Sequence, residues 1–372
     1  MRNQEMIISL IFILLSIGLF FWPNKYEKRV DTTTAVRCKA RVISVDNSDV
    51  HQRGIIKTGV QDLVLKILDG KFKGKTLQAS NQLMGYLDRD KIFQKGDLAF
   101  VVITFNKDGK IIYVNPQDIY RLNLELWLFA AFALSIIVFG GWTGIRALLS
   151  FVFSALVIWK ILIPYTLDGV DPIYLSLGVV TILTISIIFL VAGINRKAIA
   201  AFVGCFLGIA LTCILAIYFT KHARVHGAIM PFSEPLLYAG FGHLDLTGIF
   251  IGSIFLAASG AVMDIGMDIA ASMNEVLLKK PDISMWQLAM SGINVGRAVL
   301  GTMVTTLLLA YCGGYITMLM FFMAQGIPVL QLVNIVYVAG EIIKTLAGSF
   351  GLVLTAPFTA FVGAWILKYK RT

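Results

Sequence analysis

Apolar segments of membrane-spanning length follow one another along the chain from residue 124 to residue 367. The hydrocarbon core of a bilayer is about 30 Å thick, so a helix needs about 20 mostly apolar residues to cross it. Hydrophobic residues make up 57% of the sequence and charged residues only 15%, a balance that excludes an ordinary soluble domain. With one segment near the N-terminus, eight fit this description: 6–22, 124–139, 145–163, 172–193, 199–219, 246–265, 298–318 and 347–367.

The first of these segments lies apart from the others. It follows a short basic start at Arg2, and no small-residue cleavage pattern comes after it. Such a segment is predicted to stay attached as a signal-anchor transmembrane helix over residues 1–23. The remaining segments predict a seven-helix transmembrane domain over residues 123–372. The predicted fold class is therefore an all-α polytopic membrane bundle of about eight transmembrane helices.

Residues 24–122, between the first two predicted helices, are polar and contain short runs rich in Val, Ile, Leu and Phe. Turn residues separate these runs, and Asp108-Gly109 between two of them is a typical hairpin signal. This pattern predicts a small all-β domain, an OB-like barrel or a sandwich, inserted between helices 1 and 2. The predicted strands are 36–45, 59–68, 76–79, 98–105 and 110–114.

Basic residues in the short loops predict the orientation of the helices, because cytoplasmic loops carry an excess of Lys and Arg. With the N-terminus in the cytoplasm, most basic loops fall inside and the acidic loop 164–171 falls outside, while the basic segment 221–226 is an exception. The C-terminus is then cytoplasmic, and residues 24–122 are extracytoplasmic. The inner basic positions are Arg146, Arg196-Lys197, Lys279-Lys280 with Arg297, and the tail 368–371.

The predicted outer domain has more Lys and Arg than Asp and Glu. A basic OB-like barrel is one way to bind nucleic acid, but these Lys residues lie in turns and do not alternate with aromatic residues. The predicted location outside the cell also argues against that partner. We therefore expect no nucleic acid, and instead anionic lipid headgroups or wall polymer at this domain.

The segment 246–265 and the residues after it carry the most informative polar groups. Asp264 and Asp268 lie one helical turn apart, and ionisable groups in membrane segments are functional candidates by default. Small residues share their face, and Gly260 is expected to let another helix approach closely. The residues of this face are Ser253, Ala257, Gly260, Asp264, Asp268, Ala271 and Glu275.

Two surroundings are open for these carboxylates. They are expected to face the bundle interior or a water-filled mouth, which would make them an ion or substrate site. The alternative is a helix that has already emerged into cytoplasmic water. We expect the alternative for Glu275, leave both open for Asp268, and expect a functional role for Asp264.

A second polar face precedes the last predicted span. One interpretation of residues 318–344 is an amphipathic helix on the outer interface, with Glu341 and Lys344 paired locally. The other is a re-entrant or broken helix, because two glycines and a proline follow within the span. Arg297, at the mouth of the span 298–318, is expected to anchor it at the interface. The polar face consists of Gln331, Asn334, Glu341 and Thr345, and the later residues are Gly348, Gly351 and Pro357.

Three stretches of the membrane region carry a family resemblance. They are Gly260-Ala-Val-Met-Asp264 with Ile269-Ala-Ala-Ser-Met-Asn-Glu275, Gly296-Arg297 with Thr306-Leu-Leu-Leu-Ala-Tyr311, and Glu341 with Leu346-Ala-Gly-Ser-Phe-Gly351 and Pro357. Together they resemble the signature of the YibE/F-like family of bacterial membrane proteins. The chain departs from that pattern at Ala298, where Asp is expected, and at Thr305, where Asn is expected.

The resemblance implies the longer, YibE-like type, in which an outer domain precedes the membrane core. It also implies the bacterial cytoplasmic membrane as the location and a shorter YibF-like membrane subunit as a partner, with a homo-oligomer as the other expectation. It implies no activity, because the family has none firmly assigned.

Three functional classes remain open from the sequence. The first is a transporter or permease that uses Asp264, with Asp268 or Glu341, for a proton or hard cation, since such cations prefer carboxylate oxygens. Gly260, Asn334 and Arg297 are its expected supporting residues. The second is a non-catalytic assembly or envelope-sensing protein. The third is an intramembrane aspartyl hydrolase, which needs two carboxylates that converge on one water. No phosphate loop, nucleophile elbow or zinc-peptidase motif is present, so we expect no catalytic residues and no cofactor.

Overall fold

The computed structural model describes residues 2–26, 34–106 and 108–368, so the predicted tail residues 369–371 lie outside it. The chain divides into two compact units. The smaller unit is Asn24–Ser135, and the larger consists of Met1–Pro23 and Ile136–Thr372.

The described residues of the smaller unit contain one antiparallel sheet. Its strands are β1 (Ala35–Asp46), β2 (Val50–Arg53), β3 (Ile56–Ile67), β4 (Thr76–Met84), β5 (Leu98–Phe105) and β6 (Ile111–Ile119). β1 lies between β3 and β5, β4 and β2 pair with β3, and β6 pairs with β5. The edge strands β4 and β6 approach each other, so the single sheet curls into an open half-barrel. This favours the OB-like interpretation over the sandwich.

The alternation of apolar residues explains most of this sheet. Every second residue of β5, including Val101 and Ile103, is buried inside the half-barrel. The sequence did not predict β2, and it ended β4 and β6 too early. The second half of β4 carries Asn81, a polar residue that is buried, and β6 contains Pro116, which only an edge strand tolerates.

A buried glutamine fixes the connection between β4 and β5 against the sheet. Gln61 is fully buried on β3, and its amide makes four hydrogen bonds. Nε2 donates to Asn47 Oδ1 at 2.8 Å and to the Phe93 carbonyl at 3.0 Å. Oε1 accepts from the Phe93 amide at 2.9 Å and from Asn81 Nδ2 at 3.2 Å. A buried amide is stable when all its groups are paired in this way.

Long helices joined by short turns form the larger unit, and α2 begins in the smaller one. The long helices are α1 (Arg2–Phe21), α2 (Leu122–Val157), α4 (Pro172–Ala192), α5 (Arg196–His222), α7 (Leu246–Lys279), α8 (Met285–Ala324) and α10 (Val336–Lys368). Short helices between them are α3 (Ile163–Leu167), α6 (Ser233–Leu236) and α9 (Val329–Asn334). A π-helical turn, Ile158–Leu162, joins α2 to α3.

Among the described residues, six helical segments are long and apolar enough to cross a membrane, as expected for a multi-pass membrane protein. The predicted count of eight is not confirmed. The apolar part of α1, Met6–Phe21, is shorter than the six. The predicted spans 124–139 and 145–163 both belong to one helical segment, Leu122–Leu167.

That segment bends sharply at Gly141, whose φ of 53° and ψ of −129° are not helical. A Cβ at Gly144 would meet the carbonyl oxygen of Ile136. Residues eight positions apart in a straight helix are about 12 Å apart along the axis. The chain therefore folds back at the bend, and glycine permits this because it adopts positive φ without strain.

Small residues bring α5 and α10 into close contact in the core of the larger unit. A Cβ at Gly208 would meet Thr355 Oγ1, and a Cβ at Gly351 would meet Thr212 Oγ1. One turn before Gly208, a Cβ at Gly204 would likewise meet Thr359. Small residues at four-residue spacing let two membrane helices approach until their backbones are in contact.

The start of α7 packs against α4. The side chain of Asp245 caps α7 by accepting a hydrogen bond from the Gly248 amide at 3.0 Å. A Cβ at Gly252 would lie 2.5 Å from Ser176 Oγ and 3.4 Å from the Pro172 carbonyl oxygen. The small side chains at this point therefore let α7 and α4 pack closely.

An aromatic pair and a buried lysine are among the contacts of the N-terminal helix α1 with the rest of the larger unit. The rings of Phe12 and Phe153 meet edge to face with centroids 5.1 Å apart. Lys160 is buried in the π-helical turn, and its Nζ donates to the Trp22 carbonyl at 3.2 Å. A cation at a helix C-terminus also interacts favourably with the helix dipole.

Residues 318–344 contain the end of α8, a turn, α9 and the start of α10. The chain breaks between α9 and α10 at Ile335, which is extended. From Val336 onward α10 is continuous through Gly348, Gly351 and Pro357. A helix broken after Glu341 is therefore not found, and Glu341 belongs to the last long helix itself.

Candidate functional site

Asp264 and Asp268 lie on the exposed face of α7. Apolar residues on the other side, such as Ile265 and Ile269, are fully buried against the neighbouring helices. The two carboxylates therefore do not face the interior of this chain's own helix bundle, which was one of the expected surroundings. The exposed face contains Ala257, Gly260, Asp264, Asp268, Ala271 and Glu275.

Asp264 lies near the middle of its helix. It follows Leu246 by 18 residues and precedes Lys279 by 15, which places it about 22 Å along the axis from the nearer end. Asp268 is about 6 Å closer to that end. The short side chain of Asp264 cannot reach either end of the helix.

The two carboxylates are close enough to act on each other electrostatically. Within the described residues, neither takes part in an ion pair shorter than 4 Å. A pair of like charges without a counter-charge attracts cations, protons included. The two carboxylates are therefore accessible to an ion, a lipid or another protein at this face of α7.

Gly260 does not have the close neighbour that the sequence predicted. A Cβ at this position would meet nothing within 4 Å. The space in front of Gly260 is open, so the close approach that a glycine permits is not used by any described helix of this chain. The small residues and the carboxylates thus form one continuous face that the chain leaves uncovered.

α8 is also poorly covered by the rest of the chain. In its most apolar window only 11% of the residues are buried, against 56% in α7 and 50% in α5 and α10. A Cβ at Gly301, Gly313 or Gly314 would meet nothing within 4 Å. Thr302 and Thr305 are exposed as well. A large part of α8 is therefore available to contact lipid or another protein.

Arg297 is exposed at the level of the α7 carboxylates. Its neighbour Gly296 faces the core, where a Cβ would lie 3.3 Å from Ile269 Cδ1. Since Ile269 follows Asp268 directly, Arg297 and Asp268 occupy similar heights on adjacent helices. Within the described residues they form no ion pair with each other.

A second polar group lies between α8 and α10, and we call it the Glu341 cluster: Tyr311, Cys312, Tyr315, Glu341, Lys344 and Thr345. Lys344 Nζ lies 3.7 Å from Glu341 Oε2, and about a quarter of each side chain is exposed. The two residues are paired locally, as one of the two interpretations of this segment expected. Lys344 Nζ also lies 5.3 Å from the centre of the Tyr311 ring, a cation–π contact across the two helices.

The tyrosines of the Glu341 cluster contribute hydroxyl groups. Tyr311 is 8% exposed, and its hydroxyl has no hydrogen-bond partner in the described residues. Tyr315 Oη lies 3.2 Å from Cys312 Sγ. The charge of Glu341 acts electrostatically on both hydroxyls. Thr345 is buried beside Tyr315.

Asp264 and Glu341 are far apart. α7 and α10 run in the same direction, and they meet where a Cβ on Gly348 would lie 3.2 Å from Ala258 Cβ. Asp264 follows Ala258 by six residues on α7, and Glu341 precedes Gly348 by seven residues on α10. The two carboxylates are therefore separated by about 20 Å along the helix axes. They cannot act on a single water molecule.

Asn334 does not join the Glu341 cluster. It is the last residue of α9, it is exposed, and its Nδ2 donates to the Leu330 carbonyl of its own helix at 2.8 Å. Its predicted supporting role finds no contact in the structure.

The sequence drew attention to Glu341 and Lys344 but not to Tyr311 or Tyr315 as their neighbours. Tyr311 is an aromatic residue in an apolar run, and nothing local distinguishes it. Its position depends on the pairing of α8 with α10. No group of three or more His, Cys, Asp or Glu side chains among the described residues could hold a metal ion.

Comparison with known proteins gives matches at the level of the family. A family model described as YibE/F-like protein matches residues 128–369, which is more than half of the chain. A second, described as YibE/F family N-terminal domain, matches residues 36–119. No curated protein and no solved structure matches the chain.

Proposed function

The chain belongs to the YibE/F-like family of membrane proteins, and from that premise we propose that it is a transporter or permease for a proton or hard cation. The intramembrane carboxylates Asp264, Asp268 and Glu341 carry the ion in this proposal. The substrate, if different from the ion, is not identified by these groups.

One observation carries the proposal: a carboxylate is kept about 22 Å from the nearer end of a membrane-length helix. The predicted span 246–265 includes Asp264, and a charged group within the hydrocarbon is unfavourable, by about 2.5 kcal/mol or more. Residues of this kind persist where they bind or relay an ion. Asp268, one turn away, gives the ion a second oxygen-bearing group.

The supporting residues follow from the same geometry. Arg297 lies at the height of Asp268. In this proposal, its positive charge balances the carboxylates after the ion has left the site. Gly260 keeps the face above Asp264 free of side chains. The contacts of Asn334 are local, and it lies just before the start of α10. It therefore remains a candidate only for an entrance to the transport path at that point.

The exposed α7 face needs a cover within the bilayer. Lipid alone would leave both carboxylates unpaired, so we propose that a second protein surface lies there: another copy of this chain or a shorter YibF-like membrane subunit. The uncovered glycines of α8 support the same view, since small residues are typical of membrane-helix interfaces. The lipid bilayer is the partner of the remaining apolar surface.

A non-catalytic assembly or envelope-sensing role is the second candidate. The uncovered surface of α8 favours it, because that surface suits a partner protein as well as it suits a transport path. Deletion of residues 36–119 discriminates the two. A transporter keeps ion flux without its outer domain, whereas a sensor or assembly factor loses its function.

The intramembrane hydrolase is the weakest candidate. Its two carboxylates would have to converge on one water molecule, and Asp264 and Glu341 are offset by about 20 Å. Asp264 and Asp268 lie on the same helix, which does not place them on opposite sides of a substrate.

For the topology we propose the bacterial cytoplasmic membrane, with both termini in the cytoplasm and residues 24–122 outside. Both termini on one side require an even number of crossings. Counting α1, the two arms of the bent α2, and the five later long helices gives eight. The basic outer domain then faces anionic headgroups or wall polymer, and we propose no nucleic-acid partner.

Thermal unfolding of the purified protein across pH and a panel of cations tests the proposal. A ligand that binds only the folded state stabilises it by about 2.7 kcal/mol at a hundredfold excess over its Kd. We expect a cation or a pH step to stabilise the native protein but not Asp264→Asn, which is nearly isosteric. Glu275→Gln, on the same face, is the matched control and should respond like the native protein. If all three proteins respond alike, Asp264 is architectural and the proposal fails.

A further inference from the structure

The half-barrel stays open along one seam, between the edge strands β4 and β6. β4 is bonded to β3 and β6 to β5, and these antiparallel pairings make β4 and β6 run in the same direction. No backbone hydrogen bond joins β4 to β6 in the described part of this unit. Both strands therefore present unpaired backbone N–H and C=O groups at the seam, which is the arrangement that accepts an added strand.

A cavity of about 540 Å³ opens into the seam where β4 and β6 begin. Its floor is apolar and belongs to the core, since Leu63, Ala79 and Val114 are each at most 7% exposed. Its rim carries the exposed side chains of Ile112 and Tyr113. An apolar floor beside a strand edge suits the alternate side chains of an added strand, which all point to one face.

A second cavity, of about 430 Å³, continues the groove along the rest of the seam. Ser80 and Tyr113 line both cavities, so the two adjoin. The exposed side chains of Met84 and Tyr86 line the far end. Along β4 the groove extends from Leu77 to Met84, about 25 Å, which is the length of a strand of about eight residues.

Two carboxylates give the first cavity its charge. Asp46 and Asp62 lie directly opposite each other on β1 and β3, and both line this cavity. Hydrogen bonds from the amide and the hydroxyl of Ser48 hold the pKa of the Asp46 carboxyl below its usual range, so it is ionised at neutral pH. Among the described residues, neither carboxylate has a cation within 4 Å. Like charges directly opposite in a sheet are unfavourable, so this end of the groove favours a basic group.

We propose that the seam of the half-barrel binds an extended segment of another protein, which adds as a strand along β4 and β6 and places a Lys or Arg beside Asp46 and Asp62. Its alternate apolar side chains enter the floor at Leu63 and Val114. A nucleic acid or an anionic lipid does not fit, because the two carboxylates repel phosphate and neither ligand offers a peptide backbone to the strand edges. The inference goes beyond the proposed function, since it concerns the half-barrel alone.

Hydrogen exchange of the purified full-length protein in the presence of synthetic peptides tests the inference. The probe is an eight-residue peptide, acetylated and amidated, that alternates Val and Thr between two terminal Lys residues. A Lys at each end brings one to the carboxylates in either strand direction. We expect this peptide to slow exchange in β4 and in the first half of β6 about tenfold at saturation. The same peptide with terminal Glu residues should bind about tenfold more weakly.

Two exposed isoleucines provide a matched pair of variants. Ile112→Thr, at the rim of the first cavity, should weaken binding of the Lys peptide about fivefold because an apolar contact is lost. Ile43→Thr, at an exposed position of β1 that lines neither cavity, should bind like the native protein. Equal weakening in both variants would place binding outside the groove and overturn the inference.

The double variant Asp46→Asn with Asp62→Asn gives the sharpest outcome. It should lose the preference for the Lys peptide over the Glu peptide while β4 and β6 are still protected, a result that a misfolded variant cannot produce. Two results with the native protein would overturn the inference: no protection of β4 and β6 at about 1 mM Lys peptide, or equal binding of the two peptides. Ion flux depends on neither result, so the proposed function is tested separately.

Discussion

The two polar regions of the membrane unit differ in what surrounds them. The Glu341 cluster lies between α8 and α10, and the chain supplies its counter-charge from Lys344, one turn away on the same helix. Asp264 and Asp268 lie on the exposed side of α7, where the described residues provide no cation within 4 Å. One region is neutral and mostly buried, and the other is acidic and exposed.

The difference indicates that a single chain supplies the counter-charge at one region and not at the other. Charged groups in membrane segments normally face protein or water. The Glu341 cluster meets that condition within the chain, whereas the α7 face needs something from outside. An ion, a partner surface or a water-filled path at the α7 face all follow from this requirement, and each is open to experiment.

The largest expected effect contrasts an enclosed glycine with an open one. Gly208→Leu should prevent correct folding, at a cost of about 3 kcal/mol or more, because its side chain would meet Thr355 and the Gly351 carbonyl. Gly260→Leu is the same change on the open face and should leave the fold of the single chain unaffected. Size-exclusion chromatography and thermal unfolding in detergent measure both.

The Gly260 variant also sharpens the comparison. If a partner surface covers the α7 face, Gly260→Leu should reduce the size of the assembly while its monomer melts normally. Equal loss of folding in the two variants would show that the α7 face is enclosed, and the contrast between the regions would be lost.

A smaller effect is expected at the buried side-chain amide of Gln61, which has all its hydrogen-bond partners, unlike the Tyr311 hydroxyl. Gln61→Ala should destabilise the outer sheet by about 2 kcal/mol, because Phe93 and Asn81 lose hydrogen bonds inside the half-barrel. Hydrogen exchange of the Phe93 segment in the full-length protein should then become about thirtyfold faster. Gln78→Ala, at an exposed position of β4, should exchange normally. An unchanged rate in Gln61→Ala would mean that the network does not hold the connection in place.

The smallest effect concerns Cys38 in the half-barrel. Burial, with a contribution from the charge of Asp69, raises the pKa of the Cys38 thiol to about 11. At pH 8 the reactive thiolate is then about a thousandth of the total. We expect alkylation of Cys38 to be about a hundredfold slower than that of a cysteine at the exposed Ile43 position of β1, measured as Ile43→Cys in a Cys38→Ser background. Comparable rates would show that the half-barrel opens readily.

Much of the fold follows from the sequence because it depends on local patterns. The apolar spans, the shared face of Asp264 and Asp268 and the alternating strands all depend on residues within a few positions of one another. The sequence predicted two separate spans, 124–139 and 145–163, and the bend at Gly141 lies between them. A pair of glycines, Gly140-Gly141, permits this reversal, but the sequence did not show that the helix assignment would continue through it.

The surroundings of the candidate site could be predicted only in part. Helical periodicity correctly placed Asp264 and Asp268 on one face of α7. It could not tell whether that face meets other helices, because the answer depends on which other faces pack better. Gly252, Ile265 and Ile269 occupy the packed side, which leaves the carboxylates outside. The contact of Tyr311 with Lys344 joins residues on two helices and has no local signal.

Ion flux in proteoliposomes tests the central claim most directly. The native protein, Asp264→Asn and Glu275→Gln are reconstituted at equal density, and proton and sodium fluxes are followed under an imposed gradient. The account predicts flux through the native protein and Glu275→Gln, and a loss to background in Asp264→Asn with its folding intact. Flux through Asp264→Asn at the native rate would contradict it.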